Sequence, residues 1–403
     1  MATENNNKTL NVPNLRFPEF SEEWKSNELH KVASLSKGTG ISKDQLSDSG
    51  HPCILYGELY TKYKSEIIRE VYSKTQLDVA NLVKSHTNDV IIPCSGEAAI
   101  EIATARCVLI PEVLLGGDLN IIRLNGCHDG GFFAYQLNGK RKVDIAKVAQ
   151  GVSVVHLYGE HLKKVKVSYP SLKEQQKISS FLALLDERIA TQIKIIEKLE
   201  SLIIGLITDV NSGRIALCKS VYLRDLLIEQ HEKNTNNYEV CSVSVSQGVI
   251  NQIDYLGRSF AAKEVLHYNV VNCGDIVYTK SPTGEFPYGI VKRSDITKPV
   301  AVSPLYGVYR PINDYVGRYL HLYFKSPINA KNYLHKLIQK GAKNTINITN
   351  QHFLDNKILI PEKGWQDKIV KFAAAIEMKI ATENKVLQTL QQQKDYLLSK
   401  MFI

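Results

Sequence analysis

Lysines, tyrosines and short polar side chains gather in a few segments of this 403-residue chain, in the mixture that contacts a nucleic acid. In ILYGELYTKYK, Tyr56, Tyr60 and Tyr63 interleave with Lys62 and Lys64 around Glu58. Lysines such as Lys37 and Lys43, with Thr39 between them, suit backbone phosphates, which give salt-dependent affinity. Glu58 and Glu97 have the chemistry to accept from a cytosine amine in the major groove. In the second half, Ser244, Ser246, Gln247 and Asn251 are of base-edge type. There Lys280, Ser281, Thr283, Lys292 and Arg293 suit phosphates, and Lys343 with Asn344 forms a further polar basic loop. Any one of these segments reads as readily as a solvated turn. Their weight comes from falling in corresponding loops of two halves, as Ser95 and Ser281 do.

Catalytic signatures do not accompany them. KGTGISK (37–43) lacks a third glycine, and no GxxxxGK[ST] phosphate loop, GxSxG elbow or NPPY-like loop occurs. His231-Glu232 is not followed by the second histidine of a zinc helix, so neither a catalytic nor a metal site is expected. The seven cysteines are scattered and never spaced CxxC, which predicts reduced, mostly buried thiols and a cytoplasmic location. The net charge of +9 is compatible with a polyanion partner without requiring one. The polar start MATENNNKTLN is no signal peptide, and LIIGLI (202–207) is too short to span a membrane.

Two long helices must position these loops. In residues 171–210 one apolar row is Ile178, Leu185, Leu199 and Leu206; the other is Leu182, Ile189, Ile196 and Ile203, with Gln192 interrupting the first. That is an a/d seam kept over about four heptads. Ser171 and Glu174 stand at capping-box spacing after Pro170. The helix would be roughly 50 Å long and needs a partner of similar length. Residues 361–403 supply it. At an offset of 191, His161 falls on His352, Pro170 on Pro361, Gln175 on Gln366 and Phe181 on Phe372. The second seam is Ile369, Ile376, Leu390 and Leu397 with Ile380 and Leu387; Glu383 matches Gln192, while Ala373 and Lys394 weaken the row.

The chain therefore reads as a duplication of a globular part followed by a long helix. The expected divisions are a disordered tail (1–11), a first domain (12–170), a helix (171–210), a second domain (211–360) and a second helix (361–403). The fold class is mixed α/β (α+β): strands alternate with short helices in both halves, and the second replays the first in outline. Phe132–Val148 reads as helical.

PNLRFPEF with Trp24, then PSLKEQQKISSFLALLDERI and its fainter C-terminal copy, resemble the specificity subunit of type I restriction-modification systems. The resemblance implies two target-recognition domains, separated by two long antiparallel coiled-coil helices and related by a pseudo-two-fold. Each would read half of a split duplex target. It implies two modification subunits bringing adenosylmethionine for adenine methylation, and two restriction subunits bringing ATP and Mg, with no cofactor on this chain and no membrane. A tandem RNA- or single-strand-binding protein and a coiled-coil adapter are the alternatives that the residues alone leave open.

Overall fold

The computed structural model describes residues 11–256, 264–340 and 346–403. The expected tail lies outside these except for Asn11, whose amide donates to the Trp24 carbonyl. Two compact units form, one comprising Met1–Lys194 with Asn384–Ile403, the other Ile195–Glu383. Neither long helix stands apart: Leu172–Asn211 begins in the first unit and ends in the second, and Lys363–Lys400 does the reverse.

The seam residues fold as their spacing predicts. Ile178, Leu182, Leu185, Gln192, Ile196 and Ile203 are buried, and Ile189 and Leu199 half-buried. Opposite them, Ile369, Ala373, Ile376 and Leu390 are buried, and Ile380, Leu387 and Leu397 half-buried. Ile178 and Leu182 share a core with Leu398, Met401 and Phe402 of the first unit. In the second unit Ile203, Ile207 and Val210 share one with Ile369, Ala373 and Ile376. In each unit the start of one helix meets the end of the other, as an antiparallel pair requires.

Glu174 has a different role from the expected cap. Its carboxylate, 1% exposed, takes a two-pronged pair from Arg16 at 2.7 and 2.8 Å. Phe17 packs edge-on against Phe181 at 5.8 Å, and Lys177 lies 4.8 Å over the Phe17 ring while pairing with Glu19. The PNLRFPEF segment thus straps the first helix. Gln175 donates to the Pro170 carbonyl at 2.9 Å, and Gln366 does the same to Pro361 at 2.9 Å, one bond made twice at the 191-residue offset.

The duplication runs deeper in the sheets than in the residues. The first unit's main sheet has the order Ala33–Lys37, Leu119–Leu124, Asp89–Pro93, Arg106–Val108, Ile67–Ile68. The second repeats the first four places with Leu227–Glu229, Gly307–Pro311, Ile276–Thr279 and Ile290–Arg293. The middle strands Asp89–Pro93 and Ile276–Thr279 are buried throughout, hence their continuous apolar run. Each is preceded or begun by a buried aspartate paired with an arginine on the neighbouring strand: Asp89 with Arg123 at 2.8 Å, Asp275 with Arg310 at 3.3 Å. The helices Gly130–Asn138 and Asp314–Lys325 are both capped by a side chain, Asp129 and Asn313. The units diverge beyond that frame. The first adds a four-stranded sheet; the second adds a hairpin, Cys241–Ser244 with Gly248–Asn251.

The helical stretch expected over Phe132–Val148 forms two helices, Gly130–Asn138 and Lys142–Val148. They break at Gly139, where a Cβ would lie 3.1 Å from the Leu398 side chain, so the glycine lets the second long helix close in. Four cysteines are buried, Cys218 is half-buried, Cys127 and Cys273 are exposed, and all seven are free.

Lys394, a fault in the seam by sequence, has a buried partner set. Its ammonium lies 2.5 Å from Glu66 and 2.6 Å from Asp186, all three at most 15% exposed. Tyr135 and Ser65 hydroxyls donate to Asp186 at 2.8 and 3.0 Å, and Asn138 donates to Glu66 at 3.2 Å. Arg106, also buried, faces the same carboxylates. Two cations thus balance two anions. Burial raises the Glu66 carboxyl pKa, while the Lys394 ammonium helps hold Asp186 below its usual range.

The second unit answers this with a different set. Glu377, at the position matching Asp186, lies 3.6 Å from Lys325, and Lys292 is buried beside them. Burial and the Lys325 charge bring Lys292 down to about 8 against the pull of Glu377. His321 accepts from the Arg293 backbone N–H at 3.2 Å; burial and the cations Lys292, Lys325 and Arg293 hold its pKa down at about 3. An unfolded histidine protonates near 6.5. Between the two values the unfolded state binds the extra proton, so stability falls as pH drops below 6.5, by about 2 kcal/mol at pH 5. Chemical denaturation of wild type and His321→Gln at pH 7 and 5 checks this: the variant is expected to lose most of that slope, and an equal slope contradicts it.

Candidate nucleic-acid interface

The middle strand of each sheet delivers a serine to the same end of the frame. Asp89–Pro93 runs on into Ser95–Gly96, and Ile276–Thr279 into Lys280 and Ser281. In the first unit Ser95 pairs with His156, and Val155 with Gly96. Gly96 sits against the Tyr60 hydroxyl, 3.3 Å from where a Cβ would be. Lys37, exposed at the end of its strand, is near enough to Cys94 to oppose the rise of its thiol pKa, which burial takes to about 11. A cavity of about 240 Å³ places Lys37 with Tyr158, Glu160 and Lys163. Tyr158 stacks on His156 at 6.1 Å and is 45% exposed. Lys37, Ser95, His156, Tyr158 and Lys163 therefore form one basic and aromatic face, with Glu97 exposed beside Ser95. Tyr56 is exposed; the Tyr60 hydroxyl is buried with no partner among the described residues, and burial raises its pKa well above the usual value.

Other candidates of the first unit are committed internally. Glu58 is 6% exposed, accepts the Leu55 N–H at 2.9 Å and the Ser73 hydroxyl, and pairs with Lys62 at 2.7 Å. Buried and held by three partners, it is not presented to a cytosine amine. The Thr39 hydroxyl accepts from Val83 N–H at 3.0 Å, and Tyr63 is buried, stacked on Tyr72 at 5.6 Å. Lys43 is exposed on a short turn.

In the second unit, Ser246 and Gln247 are exposed at the hairpin tip, which Gly248 closes at φ +71°. Ser244 at its base is buried, and Asn251 accepts from Ile253 and Asp254 N–H, holding the next turn. Lys280, Ser281 and Thr283 are exposed, on a loop tied by reciprocal Thr283–Phe286 backbone bonds at 3.1 and 2.9 Å. Burial lowers the Lys280 pKa, opposed by Glu229. Lys292 and Arg293 are interior instead, 4% and 7% exposed, with Arg293 bound to Asp295 and to Asp314 at 2.6 Å. The strand Ile290–Arg293 is buried on both faces, so both basic residues lie inside, and Arg293 takes its partners there. Lys343 and Asn344 lie outside the described residues.

The family model of the type I restriction modification DNA specificity domain matches residues 21–201. Over those residues the chain is similar to that family. The matched stretch takes in the first unit's sheets, the serine-bearing face and most of the first long helix. The type I restriction-modification system S subunit from M. genitalium matches the structure with a TM-score of 0.57 at 14% identity, covering 97% of this chain and 99% of that one. A chain from a structure described as the basis of complex assembly and conformational transition of the type I R-M system matches with a TM-score of 0.53 at 13% identity, covering 94% and 97%. At such identities the likeness is one of fold, and it extends through both repeats. No curated protein matches the chain by sequence.

His156, Tyr158 and Lys163 were not legible as site residues. Their segment lies between two elements with clear periodicity and has none itself. The pairing of His156 with Ser95 joins residues about 60 apart, which no spacing rule supplies.

Proposed function

We propose that this chain is the DNA specificity subunit of a type I restriction-modification complex, each unit reading one half of a split duplex target. The observation that carries this is the duplicated sheet frame, which brings different side chains to equivalent loops: half-buried Ser95 and exposed Glu97 in one repeat, exposed Lys280, Ser281 and Thr283 in the other. Lysines on those loops hold phosphates and the short polar side chains read base edges, each good bidentate contact giving about 1–3 kcal/mol of discrimination. The long helices set the spacer and dock two modification subunits. In the first unit they leave a groove of about 900 Å³, lined by Phe181, Leu184, Val386, Leu390 and Tyr396. Of these, Leu184 and Tyr396 are 60% and 58% exposed, apolar surface that a docked subunit would cover.

Methyl transfer and cleavage fall to the partners in this reading. The modification subunits bring adenosylmethionine; two restriction subunits bring ATP and Mg. The complex works in the cytoplasm, on duplex DNA; among the described residues no helix is long and apolar enough to cross a membrane. The test is exchange of residues 12–170 for the corresponding domain of another such subunit, followed by mapping of methylated adenines. One half-site is expected to change and the other to stay. A change in both contradicts separate reading heads.

A further inference from the structure

The strap on the first long helix grips three helix positions. Arg16 pairs with Glu174, and Glu19 with Lys177. Phe17 packs edge-on against Phe181 and under the Lys177 ammonium. Positions 174, 177 and 181 are three and four residues apart, on one stripe of the helix. At the 191-residue offset they fall on Trp365, Lys368 and Phe372 of the second long helix. This second stripe keeps the lysine and the phenylalanine and exchanges the carboxylate for an indole. Trp365 is 41% exposed and Phe372 57%, and the Lys368 ammonium lies 5.2 Å over the Trp365 ring.

The second repeat has no strap of its own. Residues 12–20 correspond to 203–211, the end of the first long helix. There Ile203, Ile207 and Val210 are buried in the second unit's core. A single exposed aromatic needs no explanation. Two of them, in the register of a stripe that the first repeat covers, do. The chemistry of the stripe also fits the same kind of occupant. An arginine at the Arg16 place would stack on the Trp365 indole, the ring that holds a cation best. A phenylalanine at the Phe17 place would meet Phe372, and a glutamate at the Glu19 place would pair with Lys368.

We propose that Trp365, Lys368 and Phe372 form a docking site for an extended Arg-Phe-x-Glu segment supplied in trans by a partner protein. The DNA-reading assignment above is not needed for it. The probe is the strap peptide itself, VPNLRFPEF (residues 12–20), added to the full chain. Trp365 reports its arrival, because the only other tryptophan, Trp24, is 3% exposed and the peptide has none. The emission is expected to move to shorter wavelength and saturate. Phe372→Ala and Lys368→Glu are each expected to weaken binding of a labelled peptide about fivefold. The peptide carrying Glu19→Lys is expected to recover binding to K368E. Both substituted positions are exposed, and circular dichroism checks that the variants fold. An emission unmoved at millimolar peptide overturns the inference. So does peptide binding that both variants leave unchanged, which would seat the peptide elsewhere, as in place of the resident strap on the first helix. An emission shift given by duplex DNA and not by the peptide makes the stripe a nucleic-acid contact and overturns it too.

Discussion

Replacing Lys394 by methionine is expected to destabilise the protein by about 3–5 kcal/mol, the cost of breaking a buried pair from one side. Heptad reasoning gives the opposite sign, because methionine completes the apolar row. The structure decides between them. Removing the ammonium leaves Glu66 and Asp186 facing each other in the interior with Arg106 as the nearest compensating charge. A second variant separates loss of charge balance from loss of packing. Lys394→Met with Glu66→Gln leaves one carboxylate against one guanidinium and is expected to recover more than half of the loss. Urea unfolding at pH 7 measures both. A single variant as stable as wild type would show that the cluster contributes nothing.

Shortening both long helices by one heptad, residues 189–195 and 380–386, is expected to shorten the spacer of the recognised site and leave both half-sites as they were. Seven residues rise about 10 Å, about three base pairs at roughly 3.4 Å each. The two deletions are equivalent at the 191-residue offset and keep the seam in phase. Altered half-sites with the old spacer would remove the helices from the role of spacer.

How far the residues alone led depended on the range of the interaction. Both long helices were legible because a heptad row is a local, repeating signal, and the buried Ile178, Leu182 and Ile203 bear it out. The duplication was legible in the helices, where seam and flanking prolines constrain many positions. It was faint in the sheets, where the pairing order is kept while the side chains differ. Long-range polar partners were not legible. Glu174 looks like a capping residue until Arg16, 158 positions away, is seen on its carboxylate. Lys394 looks like a seam defect until Glu66, 328 positions away, is seen on its ammonium. The site residues divided on the same ground. Ser246, Gln247 and Ser281 are exposed on loops, whereas Lys292 is buried and Glu58 and Arg293 are held inside by partners that no spacing rule identifies.

The central claim is that one chain reads two short sequences. Sequencing methylated adenines in the DNA of cells expressing this chain with its modification subunit tests it most directly. The account predicts a single split motif, two specific half-sites separated by a fixed run of unread base pairs, absent when this chain is omitted. A contiguous motif, or the same methylation without the chain, would contradict it.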